Sequence, residues 1–196
     1  MADWLCVRLQ SGVGGFNSLS WLVCGYMATK PFRTVESTSA GAVICVKRDS
    51  SYDVLLMVQN NDFYQKKYGR VPKGEVVDIG AKGRLEEGES LADAARREVR
   101  QETGFDIKLD DKFQIEDAYE FDEFSKQYNE TLHIKKRVVY FAAVMSPEEA
   151  GRIKLSEEHI SSRFVEIGKA ISEEKYPNRK KILEAVERRL LELSKT

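Results

Sequence analysis

Residues 83–105, GRLEEGESLADAARREVRQETGF, constrain this chain more than any other stretch. Ser90 is a favourable helix N-cap, Asp93 sits in the first turn near the positive end of the helix dipole, and Gly104 suits the left-handed turn that ends a helix. At about 3.6 residues per turn, Leu91, Ala92, Ala95 and Val99 form an apolar stripe. Glu102 falls between Leu91 and Ala95 in angle, and Glu98 lies beside Leu91. Gln101 flanks them, while Arg96 and Arg100 face away. Glu98 and Glu102 are therefore two carboxylates one turn apart, set against an apolar face. Like charges in that position repel and lose hydration. Either cationic side chains from elsewhere in the fold neutralise them, or a hard divalent cation such as Mg2+ or Mn2+ does.

The surrounding spacing bears on the choice. Gly83 is followed after five residues by Glu89, then after seven by Arg97-Glu98-Val99, one residue, Gln101-Glu102, one residue, and Gly104-Phe105. This resembles the Nudix box, G-x5-E-x7-R-E-U-x-E-E-x-G-U with U apolar, at every fixed position except Gln101, where the family usually has Glu. The resemblance implies a Nudix hydrolase that attacks a diphosphate linkage in a nucleoside derivative, with Mg2+ or Mn2+ as cofactor. It implies metal ligation at Glu98, Glu102 and Gly83, and catalytic roles for Glu98, Glu102 and Gln101. The amide of Gln101 brings no charge, so weaker metal binding is expected rather than loss of activity. Glu89 and Arg97 resemble the family's structural ion pair between loop and helix.

Around the box, strand and helix signals alternate without strict βαβ order, which predicts an α+β, α/β/α-layered fold around a mixed sheet. AGAVICVKR and DVLLMVQ read as a hairpin across the DSSY turn, and RVPKGEVVDIGAKG as a short strand between glycine-rich loops. FDIKL and KFQIEDAYEFDEF read as strands, KKRVVYFAAVM as a central strand, and SRFVEI as a last short one. SPEEAGRI carries a capping box with Pro147 in the first turn. NRKKILEAVERRLLEL closes the chain as an amphipathic helix. Residues 1–37 hold both tryptophans and four of the thirteen glycines and end in KPFRTVESTS, which has linker or turn chemistry. They read as an N-terminal extension, with the Nudix domain and its terminal helix over 38–196.

Several classes are disfavoured by composition. With 31 Lys+Arg against 32 Asp+Glu, the net charge of −1 offers no global attraction for nucleic acid or anionic membrane. Cys6, Cys24 and Cys45 have no metal-ligand spacing and fit free thiols in a reducing compartment. With only His133 and His159, a histidine-rich metal site is not expected. No apolar run reaches the roughly 18–20 residues needed to span a bilayer. The run LSWLVCGYMA is preceded by Asp3 and a single cation, Arg8, which argues against a secretory signal. A cytoplasmic protein is expected; the oligomeric state is not legible.

Within the family, KKRVVYFAAV followed by IKLSEEHISSRFVEI, together with AKGRLEEGES, resembles the diadenosine tetraphosphate hydrolases over residues 40–175. A small nucleotide substrate is implied. Lys82 and one of Lys135, Lys136 or Arg137, with Lys136 carried forward, would meet the phosphate chain. Tyr140, or one of Tyr119, Phe121, Phe124 and Tyr128, would stack on adenine. Tyr64, Tyr68 and Lys73 lie where a specificity loop of this chain's own would form. The base is a box glutamate or one of Glu116, Glu120, Glu123, Glu157 and Glu158. Hydrolysis of 5′-RNA ends, ADP-ribose or nucleoside triphosphates are alternatives; RNA is a partner only under the first, and the basic stretches KKR and NRKK are small for an RNA chain. A non-catalytic nucleotide-binding module is the remaining reading, supported by Gln101 alone.

Overall fold

The computed structural model describes residues 33–68, 74–125 and 127–195. Among these residues seven strands form one mixed sheet. β1 (Arg33–Lys47) runs antiparallel to β2 (Tyr52–Gln59) and parallel to β6 (Glu130–Met145), which carries β5 (Ile115–Ser125) on its far edge. β3 (Val77–Asp78) and β7 (His159–Glu166) both pair with β2, while the short β4 (Ala81–Arg84) pairs with β1 through Ser39↔Arg84 to Ala42↔Ala81. β2 meets β1 only from Cys45 to Lys47, so β2 and β4 share one edge of β1 and the sheet divides between them.

The continuous apolar run in β1 follows from burial on both faces. Ala40, Ala42, Ile44 and Val46 pack with Val139 and Phe141 beneath α2 (Leu91–Thr103), whose Ala94, Ala95 and Val99 are fully buried. Val43 and Cys45 face the other way. They pack with Val138 and Ala142 under α4 (Ile167–Glu173) and α5 (Pro177–Leu193), with Ile182, Leu183, Val186 and Leu190 as the inward stripe of α5. The result is the expected α/β/α layering around a mixed sheet.

Some elements differ from the sequence reading. β1 begins at Arg33, so the KPFR–VESTS turn chemistry yields to Thr34, Val35 and Thr38, which pair along β6 from Arg33↔Leu132 onward. FDIKL is not a strand. β5 occupies that edge of β6 only as far as Tyr140, and the segment touches beyond it at the single pair Leu109↔Ala143 before turning between Asp110 and Phe113. α1 (Asn61–Tyr68) is helical because the Asn60 side chain accepts from the N–H groups of Asp62 and Phe63. α4 has no side-chain cap at Glu166, which left no start signal to read. The SPEEAGRI box caps only one turn, α3 (Pro147–Ala150), with Ser146 and Glu149 bonded reciprocally. Residues 1–32, which hold Cys6 and Cys24, and Lys73 lie outside the described residues. Among the described residues no helix is long and apolar enough to cross a membrane.

Candidate active site

α2 starts at Ser90, whose Oγ accepts from the Asp93 N–H, and ends at Gly104, where φ is 74° and the N–H donates to the Arg100 carbonyl. These caps fix the register in which Glu98 and Glu102 meet β4. Glu98 packs directly on Gly83: a Cβ built at Gly83 would fall 2.0 Å from Glu98 Oε1. Glu102 is 6 % exposed. Its Oε1 accepts the main-chain N–H of Lys82 at 3.1 Å, and its Oε2 lies 3.8 Å from His159 Nε2. Burial pushes the Glu102 carboxyl up to about 8; the Lys82 charge opposes this, and Asp78 and Glu158 add to it. The two glutamates thus address successive residues of one strand.

Arg97 braces the loop before the helix. Its Nε donates to Glu89 Oε1 and its Nη2 to Glu89 Oε2, both at 2.8 Å, and Nη2 also reaches the Arg84 carbonyl at 2.9 Å. The hydrogen bonds from Arg97 draw the Glu89 carboxyl down to about 2. Arg97 Nη1 donates to Glu98 Oε1 and, at 3.4 Å, to Gln101 Oε1. Gln101 is exposed, on the Arg97 side of the helix.

A second, buried group of polar side chains adjoins Glu102. Asp78, 9 % exposed, accepts from Gln59 Nε2 at 2.8 Å and from Lys82 Nζ at 3.4 Å, and lies 3.3 Å from His159 Nε2. Burial alone would raise its carboxyl, but the Lys82 charge and the bonds from His159 and Gln59 outweigh that and hold it well below the usual range. Lys82 is raised well above an ordinary lysine, chiefly by Asp78. Tyr64 in α1 and Tyr140 in β6 are both pushed up by burial and both feel the Lys82 charge, Tyr140 to about 12. Sequence reasoning placed Lys82 and Tyr140 at the site but overlooked Asp78, Gln59 and His159. The one legible sign was an acid inside VVDIGAKG, an otherwise apolar and glycine-rich connection.

Tyr140 is only 5 % exposed and shares the core with α4 and α5, whereas Tyr119 is 41 % exposed and stacks on Phe121. Tyr119 pairs across the sheet with Lys136, whose Nζ donates to Ser37 Oγ at 3.1 Å and Ser39 Oγ at 2.6 Å. Burial, then the charges of Arg84 and Lys82, push this ammonium down to about 8. An open groove of about 590 Å³ runs here between β1, β5 and β6. Of the downstream acids, Glu116 is held by Arg137 and Glu120 by His133. Glu158 instead pairs with Lys67 at 3.0 Å, and its charge acts on Glu102 and Tyr64.

The donor set suits a hard divalent cation. Mg2+ takes oxygen ligands and commonly keeps several waters with one or two carboxylates. Glu98 and Glu102 supply two, and the missing Cβ of Gly83 lets the chain approach one of them. Among the described residues no three His, Cys, Asp or Glu side chains converge in metal-holding geometry; Glu98 is instead bonded to Arg97.

A NUDIX domain family model matches residues 38–186. The chain therefore belongs to the NUDIX family and is a pyrophosphohydrolase. Among solved structures, an Ap4A hydrolase of C. elegans in a binary complex is 22 % identical over 79 % of this chain and 98 % of its own, with a TM-score of 0.59. The MutT protein of Methanosarcina mazei Go1 is 20 % identical over 82 % and 98 %, with a TM-score of 0.50. The NUDIX domain of Shewanella oneidensis NrtR, complexed with ADP ribose, is 14 % identical over 83 % and 94 %, with a TM-score of 0.53. At these identities the likeness concerns the fold. No curated protein matches the sequence significantly.

Proposed function

We propose that this chain is a Mg2+- or Mn2+-dependent hydrolase that cleaves a nucleoside polyphosphate at a diphosphate linkage, with diadenosine tetraphosphate or a related dinucleoside polyphosphate as substrate. The observation that carries the reading is the pair Glu98 and Glu102 facing Gly83 and Lys82 of β4. Glu98 and Glu102, with Gly83, would hold the cation, which when bound neutralises phosphate oxygens and makes water more acidic. Gln101, at the exposed edge beside Arg97, would orient solvent there. Glu89 and Arg97 hold loop to helix. Glu158, whose charge already acts on Glu102, would take the proton of the attacking water.

Lys82 and Lys136 would contact the phosphate chain from the same side of the sheet, Lys82 beside the buried Tyr140 and Lys136 above the Ser37–Ser39 hydroxyls. Ser37 precedes Gly41, the β1 partner of Lys82, by four residues, about 13 Å along a strand, which suits a chain of several phosphates rather than one. Tyr119, the more exposed ring of the aromatic set, offers a face for a base. The likeness to an Ap4A hydrolase fold supports the same substrate class. The buried, free thiol of Cys45 fits the cytoplasmic setting expected from the sequence.

The test is turnover with Mg2+ of diadenosine tetraphosphate, ADP-ribose, nucleoside triphosphates and triphosphorylated RNA, with products identified. Diadenosine tetraphosphate is expected to be split to a mononucleotide and its complement. No turnover of any substrate with nucleotide binding retained would overturn the enzymatic reading, and turnover of RNA alone would overturn the substrate class.

A further inference from the structure

Asp78 is bonded from three separate strands: by Gln59 of β2 and Lys82 of β4, with His159 of β7 3.3 Å away. So many partners on one buried carboxylate fix its position and keep it charged. Lys82 is tied at both ends, its main-chain N–H to Glu102 and its ammonium to Asp78. The lysine stem is flexible and its ammonium is a compact charge. A half-buried ammonium deprived of its counter-charge turns to another anion, since an unpaired buried charge is costly. The carboxylate already joined to the Lys82 backbone is Glu102.

We infer that Asp78 is a positioning residue that keeps the Lys82 ammonium off the Glu102 carboxylate, leaving Glu102 open to a divalent cation. Gln59 and His159 serve it by holding Asp78 Oδ2 between them, which turns Oδ1 to the Lys82 ammonium. The inference rests on Glu98 and Glu102 being cation ligands, and goes beyond that reading by assigning an acid that touches neither the cation nor the phosphate. In the intact site the Lys82 ammonium is thereby held on Asp78 rather than on Glu102.

The competing explanation is charge at a distance, because Asp78 raises the proton affinity of Glu102 and would favour any cation there. A double-mutant cycle separates the two. Mn2+ binding to the full chain, without nucleotide and at constant pH, is measured from the electron paramagnetic resonance of free Mn2+. The proteins are wild type, Asp78→Asn, Lys82→Met and the double variant. Asp78→Asn is expected to weaken Mn2+ binding about tenfold, as for partners of metal ligands generally. Lys82→Met binds at least as tightly as wild type, and the double variant returns to the Lys82→Met value. An equal loss from Asp78→Asn in both backgrounds would overturn positioning by Asp78. Wild-type protein that binds no Mn2+ would overturn the cation reading together with it. Should Asp78→Asn lose its native circular dichroism, Gln59→Leu takes its place in the cycle. It removes one of the two contacts on Asp78 Oδ2 and leaves His159 on that oxygen, so a smaller loss that disappears in the Lys82→Met background is expected; an equal loss in both overturns the inference.

Discussion

On α2, Glu98 and Glu102 press two carboxylates against β4, and among the described residues the buried Glu102 receives one main-chain N–H at hydrogen-bond distance. On the far side of β1 the balance is reversed. Lys136 is half-buried over two neutral hydroxyls, its ammonium pushed down first by burial and then by the charges of Arg84 and Lys82. One region has acid to spare and the other cation to spare, although the whole chain is nearly neutral at −1. Each arrangement costs folding free energy, because like charges are gathered where hydration is reduced. Such a cost is offset when a ligand supplies the opposite charges together, as a divalent cation and a polyphosphate would. Lys82 links the regions, with its backbone on the acid side and its ammonium among the cations.

The largest expected effect is on the acid side. Glu102→Gln should lower activity by about a hundredfold or more, at or beyond the 10–100-fold typical of groups that only support a metal ligand. Its apo form should be at least as stable to urea as wild type, because a buried carboxyl is replaced by a neutral group of the same shape. Near-wild-type turnover, or an apo protein clearly less stable, would remove the acid surplus from the comparison. Gly83→Ala comes next. Its Cβ falls 2.0 Å from Glu98 Oε1, so Glu98 must move. Activity should fall more than tenfold, with about 1–3 kcal/mol of stability lost to overpacking.

A smaller effect is expected on the cation side. Lys136→Met should raise KM for the polyphosphate about tenfold, or about 1.4 kcal/mol, with kcat little changed. Because the wild-type ammonium loses its proton near pH 8 rather than at the usual 10.5, KM should rise as pH passes 8, and that rise should vanish in the variant. A pH-independent KM in wild type would separate Lys136 from the phosphate chain.

The smallest effect is expected where the charges already balance. Glu89→Gln should cost about 1 kcal/mol, discounted for the partial exposure of the Glu89–Arg97 pair. The Glu89 carboxyl is depressed to about 2 in the folded chain, from 4.5. Its contribution is therefore complete above about pH 4.5 and lost as pH falls through 2. Urea unfolding of wild type and variant across that window should show the difference shrinking on the acid side; a constant difference would mean the pair does not act through its charge.

Of the fold, the helix with its caps, the hairpin, the long central strand and the amphipathic last helix were legible because each carries a local period or cap. FDIKL had strand composition, but it meets β6 only beyond the stretch that β5 covers and turns at Asp110, which left it one bridge. At the site, Glu89, Arg97, Glu98 and Glu102 could be read from spacing within one helix and its loop. Tyr140 and Tyr119 could not be ranked, because period 2 says which residues share a face and not which of them a distant helix covers.

By itself the sequence determined the register of α2, the glycine on which Glu98 rests and the placing of two carboxylates one turn apart, since all are set by separations of under about twenty residues between β4 and the end of α2. Only the tertiary structure decided that Asp78 lies between Gln59, Lys82 and His159. These residues are up to 100 positions apart in the chain, and they meet because β2 pairs with both β3 and β7 while β4 crosses to β1. Hydrogen-bond partners gathered from three strands leave no periodic trace in a sequence, and in this chain they surround Asp78, the carboxylate that holds the lysine joining the acid side to the cation side.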